Sequence, residues 1–439
     1  MKMFNAKDTK KTSKKRAWLT VLLIGILAAG TVSCSEEDDD NGAPVNPGTE
    51  AESGWITAFQ VGTPNGRINY LIATENIPES FNITEAIELG IGQSISSFGE
   101  HPYVWDANAR TMTKWSVDKT DFTLSVEGIM SLAATGFSPD FVLPAYISES
   151  QAYIFDVLEG IVVEWSPQDM TITEIHQVTS TAPLHDNPQF FIGATNNYIR
   201  NGKVFLPIRD RGSAECCEIN TASLKAIIAV FDTETNIMTY ETDPRIMFNW
   251  DFMPVNEVGD FLVSSTEESP MVAEYFNVEP STLPSSTTLL KFNSDGTFDP
   301  DFAFDLSEVM DIRAIGRPFS FGSQGVVLSY WDSNDDGYPE VFSDRYQHRN
   351  ASREKIAKVD FNSGTAEDFP TLSKYLFLQP YIEIDGSIIH GSFSLDENED
   401  FVFHFIRQDA FDQFEELTSY GADGNDYISA TALGKLWGD

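Results

Sequence analysis

The chain has 439 residues, 41% of them apolar, and sets 28 Lys and Arg against 67 Asp and Glu, for a formal net charge of −39. A surface this acidic repels nucleic acid and anionic lipid headgroups, which argues against both as partners, and it favours a soluble monomer.

At the start, Met1 to Arg16 carries six Lys, one Arg and a single Asp, and Trp18 to Gly30 is an apolar run followed by small residues and Cys34. A basic segment, a short apolar run and a small-residue cleavage site describe a secretory signal peptide. The run is too short for a membrane-spanning helix, which needs about 20 apolar residues. Cys34 resembles the lipobox cysteine of bacterial lipoproteins, with Thr31 where that motif has Leu. Residues 1–33 are thus read as a lipoprotein signal peptide and Cys34 as the lipidation site. Directly behind it, Glu36-Glu37-Asp38-Asp39-Asp40 resembles the export signal of Bacteroidota surface lipoproteins. That resemblance implies the outer membrane, cell-surface exposed, with the membrane touched through the lipid anchor only. Residues 34–54, acidic and then rich in Pro, Gly, Glu and Asn, read as a disordered tether. Removing 1–33 leaves 28 − 7 = 21 basic and 67 − 1 = 66 acidic residues, a net charge of −45.

From residue 55 to 439 the pattern is β. Alternating runs such as Trp55-Ile-Thr-Ala-Phe, Arg67-Ile-Asn-Tyr-Leu-Ile and Ser387-Ile-Ile-His are rich in aromatic and β-branched residues, with Gly, Asn and Asp between them. Only Thr84 to Leu89 and Asp409 to Leu417 read as single turns or short helices. A unit of apolar residue, Asp or Asn, polar turn and strand recurs: Trp105-Asp106…Trp115, Phe155-Asp156…Trp165, Phe231-Asp232…Tyr240, and weaker copies at Phe292-Asn293 and Val359-Asp360. The acidic or amide residue caps a tight hairpin. These positions lie 50, 76, 61 and 67 residues apart, one four-stranded blade each. One unit before and one after give an all-β propeller of seven four-stranded blades. The strand near Tyr427 to Leu433 is expected to pair with the first blade, closing the ring and removing exposed sheet edges. A pair of β-sandwiches is the alternative.

The acidic tether, the Gly54-Trp55 strand opening and the Tyr-Val-Trp-Asp and Tyr-Ile-Phe-Asp hairpins resemble the Bacteroidota and myxobacterial surface lipoprotein β-propellers associated with ferric-siderophore uptake. The resemblance implies capture of a ferric siderophore and its transfer to a TonB-dependent outer-membrane transporter.

Local chemical motifs are few. The six histidines never fall within four residues of one another, and there is no metalloprotease pair, nucleophile elbow or phosphate loop. His404, between Phe403 and Phe405, reads as a packed core histidine. Asp332-Ser-Asn-Asp-Asp-Gly-Tyr-Pro-Glu340 fits the first half of a calcium loop, with Asp332, Asn334, Asp336, the Tyr338 carbonyl and Glu340 as ligands. Ser343 stands where the twelfth-position Glu belongs, so the stretch is either a structural Ca²⁺ site or a solvated glycine turn. Cys216 and Cys217 are either two thiols or one vicinal disulfide.

Basic residues, scarce elsewhere, gather at Arg209 and Arg211, at Arg313 and Arg317, and at Arg345, Tyr346, His348 and Arg349. In loops they suit an anionic aromatic ligand such as a ferric catecholate, or they pair with the abundant carboxylates. The sequence is therefore read as a ligand-binding lipoprotein and not as an enzyme. The alternative is a polysaccharide-active hydrolase or lyase, or a glycan- or protein-binding scaffold on the same fold.

Overall fold

The computed structural model describes residues 50–63, 66–78, 80–90, 93–139, 142–180, 191–192, 198–210, 225–246, 260–265, 273, 278–321, 324–334, 354–368, 381–384, 387–395, 401–410, 413–421 and 428–438. They belong to one compact unit, Gly48–Asp439.

Blade 1 takes β1 (Gly54–Thr63), β2 (Gly66–Thr74) and β3 (Ile87–Gly90). Blade 2 is β4 (Gln93–Phe98), β5 (His101–Asp106), β6 (Thr111–Val117) and β7 (Leu124–Ser131). Blade 3 is β8 (Ala145–Ser148), β9 (Gln151–Asp156), β10 (Ile161–Ser166) and β11 (Thr171–Gln177). In blade 4, β12 (Phe191–Ile192) and β13 (Tyr198–Arg200) share the innermost place. They precede β14 (Lys203–Asp210), β15 (Ala226–Asp232) and β16 (Ile237–Asp243).

Blade 5 shows β17 (Phe261–Val263), β18 (Thr288–Phe292) and β19 (Phe298–Asp305). Blade 6 is β20 (Ile312–Phe321), β21 (Gly325–Asp332), β22 (Glu354–Asp360) and β23 (Thr365–Asp368). Blade 7 is β24 (Tyr381–Ile384), β25 (Ser387–Leu395), β26 (Phe401–Ala410) and β27 (Gln413–Gly421). Finally β28 (Ile428–Trp437) returns to blade 1, whose order is β28-β1-β2-β3. Among the described residues helix is confined to short pieces, 3-10 turns at Pro280–Thr282 and Leu306–Glu308 among them.

Among the described residues, apolar clusters fill six of the seven seams between consecutive blades. Trp105, Phe137 and Trp165 join blades 2 and 3, and Tyr153, Leu206 and Phe231 join 3 and 4. Phe205 and Phe261 join blades 4 and 5, while Leu289 and Ile315 join 5 and 6. Phe405 with Phe59 joins blades 7 and 1, and Ile56 with Val104 joins 1 and 2. Trp105 and Trp165 are fully buried, each contributing on the order of 5 kcal/mol of apolar transfer as an upper bound. The fold is a seven-bladed β-propeller, as the sequence predicts. β28 lies against β4 and β24, the first strands of its neighbouring blades, so the first strand of each blade is the innermost.

The recurring hairpins share one turn. Asp106, Asp156, Asp232 and Asp360 each accept, through Oδ1, a backbone N–H two or three residues on. Four residues after each Asp the backbone enters the left-handed region, at Arg110 (φ 53), Gly160 (φ 70), Asn236 (φ 57) and Gly364 (φ 65). The copies are not equivalent in the blade, however. Asp106 and Asp156 close second-to-third-strand turns, while Asp232 and Asp360 close third-to-fourth-strand turns. The 76-residue interval in the sequence therefore spans one blade plus one further strand.

Three expectations need correction. Thr84 to Leu89 is no helix: a turn at Thr84 and Glu85 runs into β3 from Ile87 onward. Asp409 to Leu417 is not helical: its described residues end β26 and begin β27, held across the pair by Arg407 Nη2 to Glu415 Oε2 at 3.0 Å. Cross-strand pairing here overrides weak β propensity. The folded unit also starts before residue 55. The Ala51 N–H donates to the Lys119 carbonyl at 2.8 Å, and Gly54 pairs with Trp437.

Candidate functional site

Within a blade the first strand starts, and the second strand ends, on the same face of the ring, called here the upper face. Of the basic residues picked out in the sequence, Arg209 and Arg313 stand near strand ends on that face. Arg209 is the penultimate residue of β14, a second strand, with its backbone opposite Ile192. Arg211, Cys216 and Cys217 follow in the connection to β15 and lie outside the described residues. Arg313 is the second residue of β20, a first strand, and its carbonyl accepts from Ser286 Oγ at 3.0 Å. Arg317 follows within the same strand.

Asp332 ends β21, another second strand, and Asn334 follows it. Arg345, Tyr346, His348 and Arg349 belong to the connection from there to β22, outside the described residues. The second strands of two blades thus end, at Asp210 and Asp332, on the face from which Arg313 enters β20.

Of the calcium-like loop, Asp332 and Asn334 are described, and Asp336, Tyr338 and Glu340 are not. Asp332 Oδ1 accepts the Asn334 N–H at 2.7 Å, the turn geometry expected at the head of such a loop. Its Oδ2 pairs with Lys355 Nζ. Burial raises the Asp332 carboxyl, but the Lys355 ammonium and the Asn334 N–H outweigh it and hold the group below its ordinary range. A Ca²⁺ ion here would compete with Lys355 for this carboxylate.

A second polar group lies on the flank of blade 3 that faces blade 4. Glu164 of β10 is directly opposite Glu174 of β11 in the strand register, and His176 follows on the same side of β11. His176 Nε2 is 3.1 Å from Glu164 Oε2, and His176 Nδ1 is 3.7 Å from Glu174 Oε1. His176 is buried, its ring 6.5 Å from that of Phe231 in the next blade, whereas the Glu174 side chain is 65% exposed. Gln151 Nε2 donates to Glu164 Oε1 at 3.0 Å and to the Tyr153 hydroxyl at 2.8 Å. Burial, with the Glu164 charge adding to it, pushes the Tyr153 phenol up to about 12.

Blade 2 shows what this position holds elsewhere in the ring. Lys114 stands one residue before Trp115 and opposite Tyr103, as Glu164 stands before Trp165 and opposite Tyr153. Lys114 is buried, and its Nζ lies 2.9 Å from Glu127 Oε1. Sequence reading missed the blade 3 group because it looked for paired histidines. The available signal was Glu174-x-His176 in the alternating run Thr-Ile-Thr-Glu-Ile-His-Gln, which a strand places on one face. His404, by contrast, is buried as expected and accompanied by one carboxylate, Glu416 Oε2 at 3.1 Å.

No family model matches the chain, and no curated protein matches it. Solved structures similar to it are propellers at low identity. A Pseudomonas aeruginosa periplasmic gluconolactonase is 12% identical, with 88% of this chain and 100% of that one covered and a TM-score of 0.47. A Sulfolobus tokodaii hypothetical selenium-binding protein is 9% identical, covering 90% and 96%, with a TM-score of 0.48. TolB from Acinetobacter baumannii is 11% identical, covering 85% and 68%, with a TM-score of 0.37.

The expectation that the chain is not an enzyme is corrected, because it rested on the lack of a contiguous catalytic motif, and that lack excludes nothing on this fold. The physical reason is general: a propeller assembles a site from loops of separate blades.

Proposed function

We propose that this propeller is a lipid-anchored protein of the outer-membrane surface that binds an anionic ligand, a ferric siderophore foremost, on its upper face and passes it to a TonB-dependent transporter. The observation that supports it is topological. Arg209, near the end of β14, and Arg313, near the start of β20, stand on that face although they are far apart in sequence, and β21, the strand before the Arg345 to Arg349 stretch, ends there. In a chain with 67 acidic residues against 28 basic ones, such a gathering favours a ligand of negative charge. Guanidinium groups suit the planar, charge-rich surface of a ferric catecholate.

The test is a tryptophan-fluorescence titration with ferric catecholates and ferric hydroxamates, on the native chain and on Arg313→Ala. Saturable quenching that weakens in the variant is the expected result. Flat titrations with every ferric ligand would overturn the reading. Hydrolysis of a lactone and of a polysaccharide panel is followed in the same preparations, and turnover there would replace transfer with catalysis as the role of this face.

A further inference from the structure

We propose that Glu164, Glu174 and His176 bind one first-row divalent metal ion of the Zn²⁺ type on the flank of blade 3, at its seam with blade 4. The site is separate from the upper face and does not depend on what binds there.

Three observations carry it. The first is the donor set: an imidazole and two carboxylates whose ligand atoms all lie within 4.8 Å of one another. Zn–N and Zn–O distances of about 2.0–2.2 Å put tetrahedral donors roughly 3.3 Å apart. The 3.1 Å between His176 Nε2 and Glu164 Oε2 already meets that spacing. Glu174 Oε1 lies nearest the other ring nitrogen, Nδ1 at 3.7 Å, and its exposed side chain swings toward the Nε2 side to complete the set.

The second is orientation. Gln151 holds Glu164 Oε1 and leaves Oε2 toward the histidine, while burial against blade 4 fixes the His176 ring. This is how residues behind a metal ligand ordinarily aim it.

The third is the comparison between blades. Blade 2 places the Lys114 ammonium at this point of the sheet, against Glu127. Blade 3 replaces that lysine with Glu164 and sets a second carboxylate, Glu174, directly across from it. Like charges in register on neighbouring strands repel. Among the described residues no Lys or Arg pairs with either glutamate, and the side chain that reaches both is the His176 imidazole. A divalent cation supplies the positive charge that the lysine supplies next door. Ca²⁺ is the poorer fit, because it takes six to eight oxygen ligands at about 2.3–2.6 Å and the site's buried donor is an imidazole nitrogen.

The full-length chain, stripped with chelator, is titrated with Zn²⁺ alone and then with Ca²⁺ alone by isothermal calorimetry. The native chain is expected to bind one more Zn²⁺ equivalent than Glu164→Gln or His176→Gln. Glu174→Gln is expected to weaken that equivalent at least about tenfold. His404→Gln, which removes the histidine of the His404–Glu416 pair in blade 7, is expected to keep it. Identical stoichiometry and affinity in the native chain, Glu164→Gln and His176→Gln would overturn the assignment, as would Ca²⁺ taking the same equivalent in place of Zn²⁺. Should His176→Gln fail to fold, the exposed Glu174 decides the matter: unchanged Zn²⁺ affinity in Glu174→Gln overturns it.

Discussion

Ile56 of β1 lies directly opposite Gly434 of β28, so the two ends of the propeller meet in one strand pair. Gly434 has no room for a side chain. A Cβ there would run into Ser97 Oγ and sit 2.8 Å from Ser97 Cβ and 3.1 Å from Ile56 Cγ2. Gly434→Ala is expected to lose about 2 kcal/mol by overpacking, and Ser97→Gly on top of it to recover most of that loss. Urea unfolding of the single and double variants measures both. An unchanged midpoint in Gly434→Ala would show that β28 is not seated against β4 as described.

Arg110 adopts the left-handed conformation, φ 53, where the equivalent turns of blades 3 and 6 use Gly160 and Gly364. A side chain there costs about 1 kcal/mol relative to glycine. Arg110→Gly is expected to raise stability by about 0.5–1 kcal/mol, because the turn imposes the strain and glycine relieves it. A thermal melt that shows no gain or a loss would mean that the Arg110 side chain contributes contacts worth more than the strain.

Asp156 is buried and ties two segments together, taking the Glu159 N–H on Oδ1 at 3.1 Å and the Ser138 N–H on Oδ2 at 3.3 Å. Burial raises its carboxyl above the ordinary value despite these donors. Its hydrogen bonds should therefore matter more than its charge. Asp156→Ala is expected to cost about 2 kcal/mol by removing two part-buried hydrogen bonds, while Asp156→Asn stays within about 1 kcal/mol of the native chain at neutral pH. Equal losses in both variants would assign the stabilisation to the charge.

Burial lowers the His390 imidazole to about 4, well under the 6.5 of an unfolded chain. Between these values the unfolded chain takes up a proton that the folded one refuses, so stability is full above about pH 6.5 and falls as the pH drops toward 4. The loss from this group amounts to about 3 kcal/mol by pH 4. His404 is lowered as well, by burial with Glu416 opposing, and acts in the same direction. His390→Gln is expected to flatten part of the acid slope of the urea midpoint and leave the His404 part. A slope unchanged by His390→Gln would exclude a buried neutral histidine at this position.

The ring and its closure were legible because they depend on features that repeat along the chain. Each Asp-headed turn announces a hairpin, and the apolar alternation around Tyr427 to Leu433 marks a strand in want of a partner. The position of each hairpin within its blade was not legible, since Asp106 and Asp232 make the same local turn and only the neighbouring strands tell them apart. Asp409 to Leu417 misled because its glutamates favour helix in isolation, whereas the ladder between β26 and β27, with Arg407 and His404 reaching across it, holds it extended. The blade 3 group was hidden for a related reason. Glu164 is one of 67 acidic residues, and nothing but strand register selects it as the partner of Glu174.

Placing β28 innermost in blade 1 has a consequence for how the protein is made. As the chain emerges from its amino end, β1, β2 and β3 appear first and lack their central strand until residues 428–437 follow. Blade 1 can neither complete its sheet nor bury Phe59 and Tyr70 against blade 7 before then. Folding that waits on contacts between opposite ends of a chain is slow, because a very long loop must be closed first. Under the export proposed above, that delay would keep the polypeptide threadable through a translocation channel until its last strand had reached the far side.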